Sequence, residues 1–221
     1  MNSDQLLAIG AALVKAVRQN IKYSANLYFL YNKKLKPFFE GREKKLNSIR
    51  TKLDHTSGFL EGSNSASAYP KQVLEQRVGY CSEVSEVATY LGSMLDQLEE
   101  PVYLSAIGAT GHEFCLIHQS YELHQQTKRD IFIADDFKSL SEKKELVNAI
   151  IADPWIYKAS KLSDYQEHIK SAHDFVGPLV YRSFYGKIRT KGYSEELGTA
   201  RPNTLLEKKL LRDFNLAYQE E

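Results

Sequence analysis

The chain has 221 residues, 43% apolar and 26% charged, the proportions of an ordinary soluble globular protein. Its 29 basic and 28 acidic residues leave a net charge of +1, which gives no reason to expect binding to nucleic acid or to an anionic membrane. Apolar runs are too short to predict a membrane span, and the two cysteines, Cys81 and Cys115, are too few for a disulfide framework or a four-ligand zinc site.

Leu6, Ile9, Leu13, Val17 and Ile21 recur at spacings of three and four and predict a helix from Ser3, capped by Ser3 or Asp4. Pro37 breaks the helical pattern, and a more charged helix is expected from Glu40 to Leu53. Gly58, Gly62, Ser63, Asn64, Ser65 and Ser67 mark the stretch from Asp54 to Tyr69 as a loop or linker. Pro70 suits the start of a short helical turn ending at Gln76. A longer helix is expected from Cys81 to Gln97, with Val84, Val87, Ala88, Leu91 and Leu95 on one face.

Short runs rich in Val, Ile, Phe and Tyr then predict strands at Val102–Ile107, His112–His118, Asp130–Ala134 and Ala149–Ala152. Gly108 and Gly111 suggest a tight connection between the first two. Ser139–Asn148 reads as a helical insertion, Ser163–Ala172 as a helix, and Phe175–Tyr193 as room for one more hairpin. A final amphipathic helix is expected over Asn203–Tyr218.

Three segments carry chemistry. Cys81 follows Gly79-Tyr80 and opens a helix, whose free N–H groups and positive dipole end favour a thiolate and can receive an oxyanion. Gln76, five residues earlier, can add a side-chain donor. His112 follows Ala109-Thr110-Gly111 and begins a strand, where a base can project into a cleft. Asp153 ends an apolar run before Pro154-Trp155, placed to accept the His112 N–H, with Trp155 as a shield. Asp135 and Asp136 also follow a strand-like run and compete for that role.

Each of these residues also has a plain structural counterpart: a buried small cysteine, a surface histidine with a backbone partner, a turn aspartate before proline. Cys115, three residues after His112, is expected in the core. His118 and His124 are spaced by six and six from His112, fit no single face of a short element and have no acidic ligand fixed between them, so no metal is expected. His168 and His173 read as solvated helix residues.

The succession Gly79-Tyr80-Cys81, Gly111-His112-x-Phe114 and Asp153-Pro154-Trp155 resembles the papain-like/transglutaminase-like superfamily of cysteine enzymes, most closely its bacterial effector members. The resemblance covers about residues 70 to 157. It implies an α+β fold with the cysteine helix packed on an antiparallel sheet and helices added at both ends. It divides the chain into a helical segment, 1–55, and a catalytic core, 70–221, with an insertion at 119–147 and a C-terminal helix. Cys81 is then the nucleophile, His112 the base and Asp153 the orienting acid, with Gln76 a weaker carry-over as oxyanion donor. The interval of 41 residues between His112 and Asp153 is long for a transglutaminase-like member and leaves Asp135 in play.

The implied activity is that of a protease, glutamine deamidase or transglutaminase acting on a protein, through a thioester and without cofactor or metal. The start Met1-Asn2-Ser3-Asp4-Gln5 lacks the basic opening of a secretory signal. The expected location is therefore the producing cell's cytoplasm, or a host cell reached by a route independent of a signal peptide. The alternatives are a small-molecule amide hydrolase, or a helical partner-binding module in which Cys81 and His112 are inert.

Overall fold

The computed structural model describes residues 1–21, 23–24, 36–53, 68–109, 111–176 and 186–220. The first helix, α1 (Ser3–Asn20), buries Leu6, Ile9, Leu13 and Val17, the stripe that the spacing predicts. Its cap is Asn2 and not Ser3 or Asp4. The extended Asn2 accepts from the Gln5 N–H at 2.9 Å, and the Gln5 side chain accepts from the Asn2 N–H at 3.4 Å. Asparagine caps as well as serine or aspartate, and this reciprocal pair satisfies two backbone donors together.

A two-residue strand, β1 (Tyr23–Ser24), pairs in parallel with β2 (Val78–Gly79). Between them lie α2 (Lys36–Leu53) and α3 (Ala68–Gln76). Pro37 and Pro70 both fall inside the first turn of a helix, where a missing N–H removes no intrahelical bond, so each helix starts earlier than its proline suggests. Of the loop expected over Asp54–Tyr69, 54–67 lies outside the described residues, and Ala68 and Tyr69 belong instead to α3.

The cysteine helix, α4 (Cys81–Ser93), stops short of Gln97. Its last carbonyls are taken from elsewhere: Gly198 N–H donates to Gly92 and Ala200 N–H to Ser93. The chain therefore turns away at Met94. Eight strands are present among the described residues, and six of them form one antiparallel sheet: β3 (Tyr103–Ala109), β4 (His112–His118), β5 (Phe132–Ala134), β6 (Ile150–Asp153), β7 (Lys158–Lys161) and β8 (Ile188–Glu196). Their order across the sheet is β5-β8-β3-β4-β6-β7. β3 and β4 form the tight hairpin expected from the glycines, with Gly111 at φ +96°.

The remaining helices are α5 (Tyr121–Thr127), α6 (Phe137–Ser141), α7 (Tyr165–Val176) and α8 (Leu205–Tyr218), with 3-10 turns at Lys144–Leu146 and Leu162–Asp164. The Ser139–Asn148 insertion thus holds the end of α6 and one such turn. Of the Phe175–Tyr193 stretch, 177–185 lies outside the described residues, Phe175 and Val176 end α7, and Ile188–Tyr193 belong to β8.

Side-chain alternation sorts these helices into two layers. On one face, Thr89 of α4 meets Cys115, and Gly92 lies so close to β3 that an added methyl would sit 2.3 Å from Leu104. Gly10 of α1 packs on the same face against Ile117, Ile150 and Ala159. On the other face Phe137 of α6 stacks on Phe114 at 5.4 Å, and His168 of α7 reaches Asp153. α8 closes over α1, where Asn20 donates to Asp213 at 3.0 Å. Leu6, Leu13, Leu91, Phe114, Ile151 and Leu210 are all buried in one core, so the N-terminal helix and the sheet share it.

Candidate active site

β4 and β6 run antiparallel, with Cys115 opposite Ala152. The start of one strand therefore lies beside the end of the other, and alternation puts His112 and Asp153 on the same face. Their side chains meet: His112 Nε2 donates to Asp153 Oδ2 at 2.6 Å, and both residues are buried, at 1% and 0% exposure. The Cys81 sulfur is close enough to this ring to favour its charged form, by hydrogen bonding and by charge. Cys81 is half-buried and is the first residue of α4. Cys81, His112 and Asp153 are thus grouped at the end of the sheet, from a helix on one face to strands at its middle.

The local sequence fixes each member. The start of α4 is held by Glu83, whose buried carboxylate accepts from the Tyr80 N–H at 2.8 Å, from Tyr69 at 2.6 Å and from two Arg50 nitrogens at 2.8 and 3.0 Å. This knot ties α2 and α3 to the residue preceding the cysteine. Gly79 must be small, because a Cβ there would lie 2.8 Å from Glu83 Cβ. The first-turn N–H groups of any helix lack intrahelical partners, so the end of α4 that carries Cys81 presents donors. Asp-Pro-Trp forms the β6–β7 turn. There Asp153 Oδ1 accepts from the Trp155 and Ile156 N–H groups at 3.1 and 3.4 Å. One residue therefore both closes the turn and holds His112, through its two oxygens. Trp155, 3% exposed, lies 5.0 Å from the His112 ring and screens it from water.

Charge follows from this burial. Burial alone would push the His112 ring towards neutrality. The charge and hydrogen bond of Asp153, and then Cys81, outweigh it and hold the imidazolium well above the ordinary histidine range. Burial would likewise raise Asp153, but His112 and His168 together hold its carboxyl far below the usual range.

His168 was not expected here. The sequence reads as a solvated helix, yet His168 is fully buried, with Nε2 3.3 Å from Asp153 Oδ2 and Nδ1 2.7 Å from Ser160 Oγ. Burial is the largest influence on it and lowers its pKa, with Asp153 opposing and His112 and Lys158 adding to the lowering. A signal was present: His168 precedes buried Ala172 by four residues and adjoins buried Ile169, which places it on the apolar side of α7. β7 was missed altogether, because Lys-Ala-Ser-Lys carries no β-branched or aromatic residue.

Gln76 is exposed at the end of α3. Asp135 and Asp136 are exposed, and Asp136 caps α6 by accepting from the Ser139 N–H at 2.7 Å. Cys115 is buried and bonded to Thr89, with its thiol pushed up to about 12 by burial. His112 and His118 do share a face of β4, contrary to the spacing argument, but they stand at opposite ends of it, about 20 Å apart. Among the described residues no cluster of His, Cys, Asp and Glu is arranged to hold a metal ion, and no helix is long and apolar enough to cross a membrane.

Comparison with family models, with curated proteins and with solved structures finds no match to this chain.

Proposed function

We propose that this protein is a thiol-dependent enzyme acting on amide bonds, with a papain-like or transglutaminase-like core. One observation carries this reading: a buried histidine is hydrogen-bonded to a buried carboxylate, and Cys81 at the start of a helix acts on the same ring. In the proposed reaction the Cys81 sulfur attacks the carbonyl carbon of a carboxamide or peptide, and N–H groups at the start of α4 receive the oxyanion. The C–N bond breaks as His112 Nδ1–H protonates the departing nitrogen, leaving a thioester. Water or an amine then attacks the thioester and gives its proton to His112, and the sulfur is released.

Water on a peptide thioester completes proteolysis, water on a glutamine thioester completes deamidation, and an amine completes transglutamination. The substrate in this proposal is a protein. The reading as a secreted bacterial effector acting on a host protein is supported by the motif resemblance.

Iodoacetamide labelling followed by peptide mass spectrometry tests the reading. Near neutral pH Cys81 is expected to react fast and Cys115 slowly, and His112→Ala is expected to remove the difference. Equal, slow labelling of both thiols in the folded wild type would overturn the proposal. With candidate protein substrates, chain cleavage identifies a protease and a gain of about one dalton per glutamine a deamidase.

A further inference from the structure

Asp153 Oδ2 accepts from two imidazoles, not one: His112 at 2.6 Å and His168 at 3.3 Å. A carboxylate only accepts, so the His168 proton facing it is on Nε2. A ring that carries a single proton then accepts at Nδ1, and the neighbour there is the Ser160 hydroxyl at 2.7 Å, which donates. Ser160 lies on β7, His168 on α7 and Asp153 on β6, and all three are buried. The hydrogen-bonded run therefore has four members, Ser160, His168, Asp153 and His112, with Cys81 acting on its last ring. It passes from one helical layer around the end of the sheet to the other.

We propose that His168 is a positioning residue for the Cys81–His112 pair, a ring oriented by Ser160 that draws part of the Asp153 charge away from His112. The inference rests on the thiol-enzyme reading given above. A second donor on Oδ2 disperses negative charge that would otherwise fall wholly on the base. A general base works best when it can both take and return a proton near the working pH. Asp153 alone, buried beside His112, would hold the ring still more firmly protonated. Two backbone donors already fix Oδ1, so the carboxylate keeps its direction, and His168 sets its strength. The charged groups acting on His168 are Asp153 from β6, His112 from β4 and Lys158 from β7.

The test is an NMR titration of the His112 ring in the full chain. In His168→Leu the midpoint for His112 is expected to rise by about one pH unit, because the carboxylate loses its second donor. His168→Gln, whose amide N–H can occupy the place of Nε2–H, is expected to return the midpoint towards that of wild type. Ser160→Ala, which frees the ring's orientation without emptying the site, is expected to shift it in the same direction by less. Should His168→Leu fail to fold, Ser160→Ala decides. An unmoved or lowered midpoint in a folded variant would overturn the role of His168. That outcome is separable from the enzyme proposal: fast Cys81 alkylation with an unmoved His112 removes the role and keeps the enzyme, whereas slow alkylation with a shifted His112 does the reverse.

Discussion

β4 begins and ends with a histidine on the same face, and the two ends are built from different materials. At its start His112 meets a carboxylate and a thiol. At its end His118 meets hydroxyls: Nε2 is 2.9 Å from Ser105 Oγ, which is 2.8 Å from Ser194 Oγ, which is 2.8 Å from His124 Nδ1. Tyr103 stacks on His124 at 4.5 Å. Both ends are buried, and burial disfavours the charged ring at both. Only at the start does a neighbouring negative charge reverse the outcome. Without one, burial and the charge of His124 push His118 down to about 3, and burial and Lys128 push His124 down to about 4. The same residue type on the same strand is thus an ion at one end and a neutral hydrogen-bonding group at the other. A charged imidazole is held only at the first end.

The largest expected effect separates the two ends by stability. Asp153→Ala leaves a buried imidazole with no counter-charge and should cost on the order of 3–5 kcal/mol in chemical denaturation. It should also slow Cys81 alkylation. Little or no loss of stability would mean that the His112–Asp153 bond is not made in solution.

The next effect is a difference in pH dependence. His118 and His124 have folded values below the ordinary 6.5, so the unfolded chain binds more protons below that pH, and their contribution is lost as pH falls from about 6.5 towards 4. His112 is raised, so its contribution is complete below 6.5 and is lost as pH rises from there through its folded value. Asp153 is depressed, so its contribution is present above 3.8 and is lost only as pH falls below that. Denaturation curves at stepped pH should show His118→Gln flattening the acid-side loss and Asp153→Asn flattening the loss above 6.5. Identical slopes in both variants and the wild type would contradict the assigned charges.

Much of the site was legible because its residues carry strong local signals. A Gly-x-Cys before an apolar helix, a His opening a strand and an Asp-Pro turn each mark an element boundary, and active-site residues gather at such boundaries. The strand His112–His118 was read to the residue. What the sequence did not give up depends on tertiary contact. His168 looks like any helix histidine until α7 is laid against β6 and β7. Nothing in Lys158–Lys161 marks it as a strand until it pairs with β6, and β5 joins the sheet through β8, some 50 residues further along the chain. The end of α4 was overestimated because its closing partners, Gly198 and Ala200, come from the far side of β8.

The smallest effect comes from making one substitution at both ends. Ser194→Ala removes the hydroxyl between Ser105 and His124 and leaves a nearly buried ring nitrogen short of a partner. The cost should be about 1 kcal/mol, at the low end for a lost neutral hydrogen bond because Ser105 keeps His118. Ser160→Ala deletes a buried hydroxyl from His168 and should cost about the same. The two variants should nevertheless differ in one readout: the rate of Cys81 alkylation across pH should follow the wild type in Ser194→Ala and depart from it in Ser160→Ala. If both profiles stay unchanged, the charged run stops at Asp153. If both move, the two ends of β4 are coupled through the strand, and the distinction between an ionic end and a neutral one fails.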